Sequence, residues 1–135
     1  MRLIELLKEV LDRSNIRYCE QNGYIQLTLC SGLHKWSVSF SEDKESFLKY
    51  YAQYPWHIDE GSQSRVLSAL NEMNTSLRAG CFMICDGFPV FRYGVYIYDE
   101  FTAKESIVDL FLTAAARTDA SWEAIYQAVC GMEVS

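Results

Sequence analysis

The chain has 135 residues, half of them hydrophobic and 22% charged, with a formal net charge of −6. A chain of this length buries roughly two-thirds of its unfolded surface, so the composition excludes a disordered segment and requires no metal or disulfide staple; residues 1–135 read as a single domain. The acidic balance opposes the attraction on which phosphate recognition depends, and no window approaches the ~18 uninterrupted apolar residues of a membrane span, so nucleic acid and membrane are both excluded as expected partners.

In chain order, Leu3, Leu6, Leu7, Val10 and Leu11 recur at helical spacing, and Ser14-Asn15 supplies a stop, which predicts a first amphipathic helix. Glu5, Lys8 and Glu9 interrupt its apolar residues, leaving no signal-peptide core. Asn22-Gly23 then joins two extended segments, 17–20 and 24–30, because this dipeptide tolerates the positive φ angles of a tight hairpin. After Ser31-Gly32, Trp36, Val38 and Phe40 alternate with Lys35, Ser37 and Ser39 as a half-buried strand should. The polar stretch 41–45 reads as a turn, and 46–55 as a fourth strand ended by Pro55.

Val66, Leu70, Met73 and Leu77 trace a second helix, opened by Ser62 or Ser64 and closed by Gly80. Strands 81–85 and 88–98 flank Asp86-Gly87, with Pro89 favouring an edge or first-residue position. Thr102 and Glu105 have the spacing of a capping box for a last helix, whose stripe runs through Ile107, Leu110 and Phe111 to Trp122 and Ile125, with a kink or break at Thr118-Asp119. The predicted class is α+β: a twisted antiparallel sheet flanked by helices in the order α-ββββ-α-ββ-α. Trp36, Val38, Phe40, Ile25 and Leu27 should share one core with Val66, Leu70, Met73, Ile107, Leu110 and Phe111.

Little of this pattern offers chemistry. Five cysteines, an odd number without a secretory signal, point to reduced thiols in a cytoplasmic protein. Cys81 and Cys85 share one strand face with Met83 and read as packing; Cys19, Cys30 and Cys130 have no neighbouring His. His34 and His57 lack a second ligand at helical spacing, so no metal site or cofactor is expected. Asn74 stands close to the apolar stripe of its helix, where side-chain to backbone hydrogen bonds would hold the helix end to the incoming strand.

The stretch LNEMNTSLRAGCFMICDGFPVFRYGVYI, followed by a capped helix ending in SWEAIYQAV, resembles the YbjN-type family of bacterial sensory-transduction regulators over residues 62–130. The markers are Leu70, Asn71 and Asn74, the Asp86-Gly87 hairpin with Arg92-Tyr93, and the pair Trp122 and Tyr126. The resemblance implies a type III secretion chaperone-like fold, a non-enzymatic role and frequent homodimers, and it brings no catalytic residues. The expectation is therefore an interaction protein, chaperone-like or a regulatory adaptor, that holds a polypeptide partner through Trp122, Tyr126, Tyr50 and Tyr54. The rival is a small-molecule sensor or enzyme using His57, Asp59 and Glu60. Apolar positions in excess of what one thin sheet can cover also predict a homodimer.

Overall fold

A computed structural model of the protein describes residues 2–44 and 46–131. Helix α1 (Leu3–Arg13) buries Leu3, Ile4, Leu7 and Leu11. Its first turn is capped from a distance: the Glu42 carboxylate accepts the backbone N–H groups of Leu3 at 3.0 Å and Ile4 at 3.3 Å, placing negative charge where the helix dipole favours it. Asn15, at φ 55°, ends the helix as expected.

Strands β1 (Cys19–Gln21), β2 (Tyr24–Ser31), β3 (His34–Asp43) and β4 (Phe47–Gln53) form a meander. A short 3₁₀ turn (Glu60–Ser62) leads into α2 (Gln63–Asn74), then β5 (Cys81–Cys85), β6 (Phe88–Tyr96), α3 (Ala103–Ala120) and α4 (Trp122–Cys130). The six strands form one antiparallel sheet in the order β1-β2-β3-β4-β6-β5. The α+β class and the element order are as the pattern predicted, apart from one extra helix.

Register sorts the residues by face. Ile25, Phe40 and Tyr50 lie in one cross-strand row, and Leu27, Val38, Ala52, Phe91 and Phe82 in the next. These belong to the core cluster that also takes Val66 and Leu70 of α2, Ile107 and Leu110 of α3 and Ile125 of α4, so every helix contributes to the same side of the sheet. Met73 and Phe111 pack against this cluster half-buried. The opposite face carries Gln26, Thr28, Ser37, Ser39, Tyr51 and Arg92; none of the described helices packs its buried side chains there, and α1 reaches only the groove's rim at Asp12.

Several local expectations are corrected. Ser41–Asp43 continue β3, so the turn is shorter than 41–45; the first extended segment pairs only over Cys19–Gln21. Helix α2 stops at Asn74, well before Gly80, and the side chain of this last helical residue serves β5: its amide accepts the Phe82 N–H at 2.7 Å and donates to the Phe82 carbonyl at 2.9 Å. This is the helix-to-strand tie expected from the sequence. It also occupies the outward-facing groups of an edge strand, which would otherwise invite pairing.

Pro89 lies on β6, an interior strand, not an edge. Its carbonyl accepts the Tyr54 N–H just past Gln53, the last residue of β4, so the missing proline donor falls where β4 has ended. The Thr102–Glu105 capping box does not close: Thr102 has φ −109° and ψ 7°, outside the extended region such a cap uses, and caps with no side-chain hydrogen bond. The last helix breaks at Ser121, beyond Thr118-Asp119. In an unbroken helix the Thr118 carbonyl would accept the N–H of residue 122; here it accepts the Tyr54 hydroxyl at 2.8 Å.

Candidate functional site

The break between α3 and α4 turns Trp122 into the centre of an aromatic cluster. Its ring stacks on His34 from the β2–β3 hairpin, with centroids 4.6 Å apart and planes 14° from parallel. It meets Trp56 edge-on at 4.6 Å and lies against Tyr54 at 5.8 Å and Trp36 at 6.2 Å. One helical turn on, Tyr126 packs on Trp56 at 5.1 Å and stays 38% exposed. Beside this cluster, Leu33 at the hairpin tip is fully exposed and, with Trp36, Pro55 and Trp122, lines a cleft of about 300 Å³.

Of the four residues expected to meet a partner, the structure brings all to this region but splits them by depth. Tyr50 and Tyr54 are 0% exposed and cannot be contact residues. Their hydroxyls are consumed inside: Trp36 Nε1 donates to Tyr50 at 3.0 Å, Tyr50 shares a 2.9 Å hydrogen bond with Thr118, and Tyr54 donates to the Thr118 carbonyl. Burial, only partly offset by the Thr118 and Trp36 hydrogen bonds, pushes the Tyr50 hydroxyl up to about 12; burial likewise raises Tyr54. Both remain neutral donors and acceptors in the core behind Trp36 and Trp122, while Trp122 and Tyr126 lie nearer the surface.

A polar clamp holds the hairpin to the helix break. Asp119 accepts at both oxygens, one 2.6 Å from His34 Nδ1 and the other taking the Ser31 hydroxyl at 2.9 Å, while Glu123 lies 3.6 Å from His34 Nε2. The hydrogen bond from His34 outweighs partial burial and, with that from Ser31, holds the Asp119 carboxyl below its ordinary 3.8. A carboxyl so lowered contributes stability that is complete above the unfolded value and disappears as pH falls through the folded one. Urea unfolding of the wild type and of Asp119→Asn should therefore show a stability gap at pH 6 that narrows once pH falls below the ordinary 3.8 of the carboxyl. A gap independent of pH would show that the Asp119 charge does not contribute.

Ser31, His34 and Asp119 are hydrolase residue types in a non-hydrolase arrangement. Nucleophile activation requires the hydroxyl on the imidazole, whereas Ser31 bonds the carboxylate and the second imidazole nitrogen faces Glu123. The rival set fares similarly. His57 lies on an exposed loop with its ring over Gly87 and edge-on to Phe88 at 5.3 Å, and Asp59 and Glu60 point to solvent. His57 is thus part of the contact that seats residues 56–58 on the β5–β6 hairpin, where Ile58 N–H donates to the Gly87 carbonyl at 2.6 Å. The five cysteines are free thiols, and among the described residues no three His, Cys, Asp or Glu side chains converge as metal ligands.

Sequence reasoning missed His34, Asp119 and Trp56 as members of one site. His34 and Asp119 lie 85 residues apart, beyond any spacing rule. A second aromatic patch was also missed: Phe47 lies tilted against Tyr96 at 4.7 Å, and Tyr96 stacks on the exposed Tyr98 at 5.8 Å.

No family model matches the chain, and no curated protein matches it in sequence. Among solved structures, YbjN from E. coli, described as a candidate transcription regulator, superposes with a TM-score of 0.57 at 14% identity, covering 93% of this chain and 87% of YbjN. The fold is YbjN-like. Within the YbjN-like fold of this chain, the cleft beside Trp122 lies where helix layer and sheet end meet, and no described helix is long and apolar enough to cross a membrane.

Proposed function

We propose that this protein is a non-enzymatic interaction protein, a chaperone-like or regulatory adaptor that binds another polypeptide and acts in the cytoplasm as a homodimer. The observation that carries the reading is the cleft in which a fully exposed Leu33 stands beside Trp36, Pro55 and Trp122. Interface energy concentrates in aromatic anchors set in such pockets, and a leucine left wholly in water gains most when a partner covers it. Tyr126 and Trp122 are the contact residues; Tyr50 and Tyr54 support them from below. The fold likeness to a candidate regulator supports the same class of role.

Affinity capture from the native host with wild-type protein and with Leu33→Asp tests the site. A partner retained by the wild type and lost by the variant is expected, and equal capture by both would remove the cleft from the interface. Light scattering at micromolar concentration tests the assembly. A mass near the 15.6 kDa monomer across a wide dilution range would exclude the homodimer.

A further inference from the structure

We infer that the helix-free face of the sheet is a docking track for an extended acidic segment of a polypeptide partner. This deepens the adaptor reading and rests on it. The whole chain carries −6, yet the charged side chains that the strands direct to this face are Lys35, Lys49, Arg92 and Asp43. Lys49 pairs with Asp43 at 3.3 Å. Lys35 and Arg92 are exposed, and neither has an ion pair among the described residues. The groove on this face also takes Asp12 and Arg17, which offset each other, and Asp86 acts on Tyr51 beside Arg92, so the face keeps a small cationic excess on an acidic protein, and an acidic ligand is favoured here over the rest of the surface.

The relief of the face is continuous between those cations. The cleft that holds Lys35 shares Thr28, Ser37 and Gln53 with a wide groove of about 1470 Å³ lined also by Gln26, Ser39 and Tyr51. Tyr51 is paired directly opposite Arg92, which with Lys49 lines a further cavity of about 390 Å³. Lys49 pairs with Ser41, six residues along β3 from Lys35, so the two cationic ends stand roughly 20 Å apart, the reach of about six extended residues. Between them the side chains are hydroxyls and amides, which match the alternating donors and acceptors of an extended backbone.

A polypeptide fits these features better than nucleic acid does. The middle of the track offers Ser, Thr and Gln with one aromatic, Tyr51, and the Phe47–Tyr96 pair stands only at its Lys49 end, whereas single-strand binding uses a row of stacking aromatics along the strand. Three cations would release few counterions, too few to overcome the repulsion of a −6 chain.

The test uses the full chain and three fluorescent probes: a dodecapeptide of alternating Glu and Ser, its Lys-Ser counterpart, and a twelve-nucleotide oligothymidylate. Anisotropy gives the affinity and ¹⁵N–¹H shift mapping gives the location. The Glu-Ser peptide should bind at least about tenfold more tightly than either other probe, shift the amides of Gln26, Ser39 and Tyr51, and weaken as salt rises. Lys49→Gln with Arg92→Glu, at the end remote from Leu33, should weaken it about tenfold or more while leaving the remaining amide spectrum folded. Equal or tighter binding of the Lys-Ser peptide, or shifts confined to the helices, would overturn the track, and tighter binding of the oligonucleotide would reassign the face to nucleic acid. Host capture that is lost in Leu33→Asp but unchanged in the Lys49/Arg92 variant would overturn the track and leave the adaptor reading standing. Absence of capture together with absence of peptide binding would overturn both.

Discussion

Replacing Leu70 with Ala is expected to lower the unfolding free energy by about 2–5 kcal/mol, the usual cost of a large-to-small core change. Leu70 is fully buried, and with Val66 it makes up the buried stripe of α2. That helix packs between β5 and α4, so it is the element that fastens the edge of the sheet to the helix carrying Trp122 and Tyr126. The helix is held between a strand and another helix of a close-packed core, which cannot both move inward to fill the space. A typical domain is stable by only ~5–15 kcal/mol, so the loss would be a large fraction of the total. Urea unfolding followed by tryptophan fluorescence would report it as a lower midpoint with an unchanged slope. A change within about 0.5 kcal/mol, the range of surface sites, would place Leu70 outside the core.

Gly80→Ala should cost roughly 2–4 kcal/mol from two independent sources. Gly80 has φ +85°, a conformation an L side chain rarely adopts, and a Cβ there would stand 2.7 Å from Phe91 Cζ and 3.0 Å from the Arg92 carbonyl oxygen. Phe91 cannot retreat: it is fully buried, with Phe82 at 4.9 Å and Tyr50 at 6.4 Å. Gly23→Ala is the matched control, since its φ is +82° but nothing lies within 4 Å of the added carbon. It should show the backbone strain alone, about 1–2 kcal/mol. Equal losses in the two variants would mean that Phe91 accommodates the methyl group and that the approach of β5 to β6 is looser than described. Because Gly80 and Arg92 line the same cavity, Gly80→Ala should also weaken acidic-peptide binding at that end of the sheet.

The sequence by itself determined what depends on neighbours along the chain. The Leu3–Leu11 stripe made α1, the alternation around Trp36 made β3, and Asn22-Gly23 and Asp86-Gly87 made two hairpins whose central residues all take positive φ. Asn74 was legible for the same reason, as a polar residue beside an apolar stripe seven residues before the strand it holds. Alternation says which residues share a face; it does not say which strand lies beside which. Only the tertiary structure decided that β6 inserts next to β4 and leaves β5 at the edge, so that Pro89 sits inside the sheet. Only packing decided that Tyr50 and Tyr54 point inward: aromatic residues suit a core and an interface equally, and the Thr118 and Trp36 groups that draw these two hydroxyls in come from distant or neighbouring strands and helices. The clamp of His34, Ser31 and Asp119 and the helix break at Ser121 arise the same way, from side chains that meet across more than sixty residues of intervening chain. Local pattern fixes local conformation because its interactions reach only three or four residues; the site is made by contacts that no local pattern encodes.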